Sequence, residues 1–404
     1  MNVTQQTRYR FPSRAGNRIR MLVDGDVFFP TMLSAIASAG REILLEMYLV
    51  EDGTIATRFS SALAAAARRG VGVYALLDDL GARGLGSAHR RELSKAGVAV
   101  AYYNPVSTRR VRRSLHRDHR KLLLIDGGLA YVGGAGLVDS FSSETAGAHH
   151  WHDLMLELQG PCAADWRMLF DEAWSRSSRT ELPATPLRPG ASPDGVRGRV
   201  SVGMGPGRQE ITRSLLQRIR KSRQRIWLAT AYFAPTRRLR KQLKRAARRG
   251  IDVRLLLPGA RSDHPLVWYA GRRYYGRLLR QGVRIFEYQP RFTHTKLYLC
   301  DDWTSLGSAN LDHWTSHWNL EANQEIEDER FAARVVALFD QDFGQSHEIT
   351  WADWRSRGLV RRVLERVIGW LHAWIVRTSY REAMRADIGS DTPESDGDSG
   401  RSRT

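Results

Sequence analysis

The chain has 404 residues, 42% of them apolar, and a formal net charge of +19. That length suits two lobes better than one core, and the basic balance favours anionic partners, either nucleic acid or acidic lipid surfaces. Two distant cysteines, Cys162 and Cys300, exclude a disulfide framework, and no run of about 18 uncharged apolar residues offers a transmembrane helix.

The first residues are polar and basic and lack the apolar stretch of a signal peptide. The run ILLEMYLV at 43–50 predicts a strand, and AAAARRGVGVYALL at 64–77 a helix end followed by a second strand. RRELSKAGVAVAYYNP, ending at Pro105, reads as a helix closed by Gly and a third strand. A basic run, STRRVRRSLHRDH at 107–119, leads into HRKLLLID, and a turn containing Gly, VGGAGLVD, follows. The stretch 178–197, rich in Pro, Gly, Ser and Arg, reads as a linker.

The order then recurs: IWLATAYF at 226–233, KRAARRGIDVRLLL at 244–257, YYGRLLRQGVRIFEYQP ending at Pro290, HTKLYLCD and LGSANLD. Strands alternating with helices twice over predict an α/β fold, with helices on both faces of each sheet. The expected lobes are 17–177 and 198–348. Residues 237–249 are basic with Leu239, Leu243 and Ala246 on one side, which predicts an exposed helix face. Residues 349–380 suit an amphipathic helix in a membrane surface, with Trp351, Trp354 and Trp370 as interfacial aromatics, the alternative being a C-terminal helix packed on the second lobe; 381–404 read as a disordered tail.

Each half carries a His-x-Lys-x4-Asp motif: His119, Lys121 and Asp126, then His294, Lys296 and Asp301. One match fixes only three residues and is weak evidence. Two matches at equivalent places in an internal repeat are hard to obtain by chance. Residues two apart on a strand share a face, so each His and Lys are expected to project into one space. A neutral imidazole can attack phosphorus and an imidazolium can protonate the leaving alkoxide; an ordinary histidine pKa of about 6.5 permits both. Two lysines can hold the non-bridging oxygens, so neither metal nor cofactor is required, and no acidic cluster suited to magnesium or calcium is seen. Asp153 and Glu321 are candidates to orient the imidazoles, and Ser308 and Asn310 to donate to phosphate or its loop. Arg109, Arg110, Arg112, Arg113 and Arg117 are candidate contacts to head-group or nucleic-acid phosphates. His149, His150 and His152 cluster beside Asp153, but their spacing alternates across a strand and does not make a metal site.

At these residues the chain resembles the phospholipase D superfamily, and looks most like bacterial cardiolipin synthases without N-terminal membrane helices. The resemblance is carried by the motif pair and by ILLEMYLV, WHDLMLELQGP at 151–161, YFAP at 232–235, SDH at 262–264, YYGRLLRQGVRIFEYQ, and GSANLD followed by NLE at 319–321. It implies two α-β-α sandwich lobes related by a pseudo-twofold axis, with the active site at their interface. It implies phosphatidyl transfer through a phosphohistidine, with His119 as nucleophile and His294 as general acid, later base. Phosphatidylglycerol would donate the phosphatidyl group and a second phospholipid would accept it, making cardiolipin. The alternative is hydrolysis by the same chemistry, of a phospholipid or, less in keeping with two motifs in one chain, of nucleic acid. The expected partner is anionic phospholipid at the cytoplasmic face of the cell membrane, met peripherally, with one chain sufficient for one site. One position departs from the family pattern: Gly136 stands where Asn is usual, whereas Asn310 keeps the amide in the second half.

Overall fold

The computed structural model describes residues 9–107, 113–184, 190–205, 208–312 and 318–358, and beyond them positions 362, 365, 367 and 368. The first half is built from β1 (Arg14–Val23), α1 (Gly25–Ser38), β2 (Glu42–Met47), α2 (Thr54–Arg68), β3 (Gly72–Asp78), α3 (Ser87–Lys95), β4 (Ala99–Tyr103), β5 (Arg117–Asp118), β6 (Lys121–Ile125), β7 (Leu129–Gly133), β8 (Leu154–Gln159) and α4 (Cys162–Ser177). Its sheet runs β4-β3-β2-β6-β7-β8-β1, parallel across β4, β3 and β2 and antiparallel thereafter.

The second half repeats that plan. It comprises β9 (Val196–Met204), α5 (Glu210–Lys221), β10 (Arg225–Ala229), α6 (Arg237–Arg248), β11 (Asp252–Pro258), α7 (Pro265–Arg272), α8 (Tyr275–Leu279), β12 (Arg284–Tyr288), β13 (Leu297–Cys300), β14 (Trp303–Gly307), β15 (Asn319–Glu327), α9 (Glu329–Gly344), β16 (Ser346–Ile349) and α10 (Trp351–Ser356). Its sheet runs β16-β12-β11-β10-β13-β14-β15-β9, again parallel only across β12, β11 and β10. The expected α/β class and repeated order are borne out.

Strand periodicity decides which side each residue serves. In β6, Leu122 and Leu124 enter a core shared by both halves, whereas Leu123 and Ile125 enter an outer core under α1 and α2. The shared core takes α4 and α9. Trp166, Phe170 and Trp174 recur every four residues on α4, and Phe331, Val335, Phe339 and Phe343 do so on α9. Each such side chain, fully buried, contributes about 1.5–3 kcal/mol. Asp328 caps α9, accepting from the Phe331 amide at 2.6 Å. The layers are therefore outer helices, sheet, shared helices, sheet, outer helices.

Three local expectations change. The run 226–233 is not one strand: β10 stops at Ala229, a short pair resumes at Phe233–Ala234, and Tyr232 between them faces a cleft. The motif strands begin only at Lys121 and Leu297, so each histidine precedes its strand. Trp354 is not an interfacial aromatic; it is buried in the outer core of the second half, beside Tyr275. Most of 349–380 and all of 381–404 lie outside the described residues, as do 185–189 of the expected linker. Among the described residues, no helix is long and apolar enough to cross a membrane.

Candidate active site

The two halves meet through their motif segments. The His119 amide donates to the Leu320 carbonyl at 3.0 Å, and β5 pairs in parallel with Asn319 and Leu320 of the other half. The His294 amide donates to the His152 carbonyl at 2.8 Å, and His152 forms an isolated bridge with Thr293. In each case the accepting carbonyl belongs to the residue just before a carboxylate of the opposite half.

That register brings Glu321 to His119, with Oε1 at 3.0 Å from Nδ1, and Asp153 to His294, with Oδ2 at 2.7 Å from Nδ1. Holding Nδ1 against a carboxylate turns Nε2 of His119 to chemistry, whereas Nε2 of His294 lies 3.0 Å from Lys296 Nζ. The lysines fold back onto the motif: Lys121 Nζ donates to the His119 carbonyl at 2.6 Å and Lys296 Nζ to that of His294 at 2.5 Å. Both histidines and Lys121 line a cleft of about 540 Å³ with Tyr48, Trp151 and Tyr232.

Burial sets the charges here. It pushes the His119 imidazole below its ordinary range, with Glu321 opposing. It pushes His294 down to about 4, helped by the Lys296 ammonium. Lys121 comes down to about 7 and Lys296 also falls, both through burial first. The aromatic walls explain the desolvation: Tyr48 lies edge-on to His119 at 4.7 Å, and Trp151 and Phe141 each lie 5.5 Å from His294. The two imidazoles and two lysines thus sit close to Asp153 and Glu321, with Asp263 and Asp312 also in the cleft wall.

The remaining sequence candidates divide. Asn310 lines the cleft, its Oδ1 accepting from the Thr230 hydroxyl at 3.3 Å. Ser308 is buried behind it, with Oγ between the Ala322 carbonyl at 3.4 Å and the Ala322 amide at 3.1 Å, so it braces Glu321's strand. Asp126 and Asp301 are away from the cleft, at the far end of strands that rise roughly 3.3 Å per residue. Asp126 accepts the amides of Gly40, Arg41 and Glu42 at 2.8–3.0 Å, and Asp301 those of Arg223, Gln224 and Arg225 at 2.9–3.0 Å. Both sit in left-handed backbone, at φ 50 and 51. They clamp the entrance of β2 and β10 to the motif turn.

Arg117 lines the cleft but is buried, spent on Asp78 at 3.3 Å and the Asn104 carbonyl at 2.7 Å, and is not a free surface arginine. Arg113 opens a short 3-10 turn, and its side chain lies outside the described residues with Arg109, Arg110 and Arg112. At Gly136 a Cβ would meet the Leu49 carbonyl at 2.7 Å and Leu49 Cβ at 2.8 Å, so the departure from Asn is matched by Leu49 filling that space. His152, from the histidine cluster, is buried between Asp24 at 2.7 Å and Asp342 at 3.3 Å; among the described residues no metal-ligating group of three is present. Asp263 and His264 of the cleft wall lay in the SDH triplet, whose chemistry the residue types alone did not reveal.

Known proteins resemble this chain in sequence and in fold. A family model described as cardiolipin synthase, PLD-like domain, matches residues 32–172 and again 215–343. Cardiolipin synthase A of Pseudomonas aeruginosa strain UCBPP-PA14 is 35% identical over 358 residues, 88% of this chain and 72% of that protein. Cardiolipin synthase A of Pseudomonas fluorescens strain Pf-5 is 32% identical over 89% of this chain and 75% of its own length. Among solved structures, phosphatidylserine synthase of Haemophilus influenzae Rd KW20 superposes with a TM-score of 0.70 at 14% identity, covering 93% of this chain and 97% of that one. That likeness is one of fold. With the family model covering both halves and relatives above 30% identity along most of the chain, the protein belongs to the cardiolipin synthase family of phospholipase D-like proteins.

Proposed function

We propose that the chain is a phosphatidyltransferase that makes cardiolipin from phosphatidylglycerol and a second phospholipid, acting peripherally at the cytoplasmic face of the membrane. The observation that carries this is two imidazoles on one cleft, His294 buried and His119 half-buried, each held at Nδ1 by a carboxylate of the opposite half, with two buried lysines beside them. In the proposed sequence, His119 Nε2 attacks the phosphorus of phosphatidylglycerol. The bond to glycerol breaks as His294, its imidazolium form favoured once the phosphate anion is bound beside it, gives that oxygen a proton. Lys121 and Lys296 hold the non-bridging oxygens, their charge restored by the anion. His294 then takes the proton from the hydroxyl of the second lipid, which attacks the phosphohistidine and frees His119. One chain supplies every group in the sequence.

The test is incubation of purified protein with vesicles of labelled phosphatidylglycerol, resolving the lipid products. Cardiolipin with glycerol is expected, and His119→Ala and His294→Ala should each abolish it. Phosphatidic acid alone would instead mean hydrolysis, with water as the acceptor. Substantial turnover by either alanine variant would remove the two-histidine scheme, and a phosphoryl group trapped on His294 would reverse the roles.

A further inference from the structure

Helix α6 is lopsided. Leu239, Leu243 and Ala246 are buried, whereas Arg237, Arg238, Lys241, Arg245 and Arg248 are exposed, and no acidic residue lies on the helix. With Arg277 of α8, this face lines a hollow of about 770 Å³. None of these six makes an ion pair with a described residue; Arg240 alone turns inward, to the Pro235 carbonyl and over the Tyr274 ring at 4.2 Å. Like charges three and four residues apart on a helix repel, so the bare patch works against the element that carries it. An anionic partner would relieve that repulsion.

The hollow is tied to the cleft along the chain. Ala234 lines the cleft and is linked to Arg237 through Pro235 and the cap residue Thr236. On the other side, Val267 of α7 lines the cleft, and the chain after α7 reaches Tyr274 and Arg277 of the hollow. The rim also carries exposed apolar side chains: Leu80, a cleft residue, is 42% exposed, and Leu266, between cleft residues His264 and Val267, is 66% exposed.

We infer that the basic face of α6, extended by Arg277, is a docking surface for an anionic phospholipid bilayer. Its arginines and lysines take head-group phosphates, and Leu80 and Leu266 enter the interfacial layer, bringing the cleft mouth to the lipid. Nucleic acid would match the charge but offers no apolar layer for the two leucines. The inference rests on the phospholipid reading of the cleft, but its test needs no turnover.

The full chain is sedimented with phosphatidylcholine vesicles, with and without phosphatidylglycerol. Wild type should partition strongly only to the anionic vesicles. The K241Q/R245Q/R248Q variant should partition about a hundredfold more weakly, from the loss of three charges near an anionic surface. R238Q/R277Q should repeat the loss in direction, guarding against a fold defect in the first variant. Wild-type partitioning by both variants would overturn the inference. So would equal binding of wild type to neutral vesicles, or displacement of the vesicles by a lower concentration of single-stranded DNA. Failure of phosphatidyl transfer in its own assay would count against the transfer reading and not against this surface.

Discussion

His152 offers the sharpest test of how the two halves are held together. Its ring is buried, with Nδ1 2.7 Å from Asp24 of the first half and Nε2 3.3 Å from Asp342 of the second. Tyr288 stacks on it at 5.3 Å, and Arg291 also reaches Asp24. Burial alone would lower its pKa, but the two carboxylates outweigh burial and bring it up to about 9. Raised from an ordinary value of about 6.5, the shift corresponds to about 3 kcal/mol of stability. Because the folded pKa lies above the unfolded one, that stability is complete below about pH 6.5, falls as pH rises, and is gone above about pH 9. His152→Gln keeps hydrogen-bonding capacity but not the charge. Urea unfolding across that range should show wild type more stable than His152→Gln by about 3 kcal/mol near pH 6, the gap closing towards pH 10. A gap that stays constant with pH would mean that the ring is neutral in the fold, and the clamp would be a matter of packing.

Three further outcomes follow from the site. Asp126→Ala should lower stability by about 1–3 kcal/mol, through three amides left without their acceptor, while the purified variant retains turnover; loss of turnover at unchanged stability would return Asp126 to the chemistry. Glu321→Gln and Asp153→Asn should each cut kcat by about a hundredfold or more with smaller effects on KM, because the imidazole loses its fixed tautomer; wild-type kcat in either would show that the carboxylates do not orient the rings. With Lys121 brought down to about 7, kcat/KM should fall as pH rises through that value, since the free enzyme loses the charge that meets phosphate. In kcat the same limb should lie at higher pH, the bound anion having raised the lysine; identical limbs in both profiles would refute the assignment.

The repeat was legible because it is local: matching apolar runs, glycine turns and motif spacing lie on the surface of the sequence. Asp153 and Glu321 could be picked out as carboxylates near the motifs, but nothing local says that each serves the histidine of the other half. That depends on Leu320 and His152 pairing across the interface, a contact between segments far apart in the chain. The same non-locality hid the role of His152, whose partners, Asp24 and Asp342, lie far away on either side. Asp126 and Asp301 show what spacing alone leaves open. Fixed spacing tied them to the reacting residues, but a strand carries them from Lys121 and Lys296 to the opposite end of the sheet. Trp354 was misjudged because a tryptophan beside arginines has the same composition whether it meets lipid or, as here, the ring of Tyr275.

The crossed carboxylates have a consequence for how this protein can be divided and how it can drift. Severed at residues 178–197, each fragment would carry an imidazole whose carboxylate partner had left with the other half. Two chains that traded halves would rebuild complete sites. A lesion in the first half of one molecule and in the second half of another would then sort into one sound site and one doubly damaged site. Substitutions near Glu321 are therefore felt first by His119, and those near Asp153 by His294.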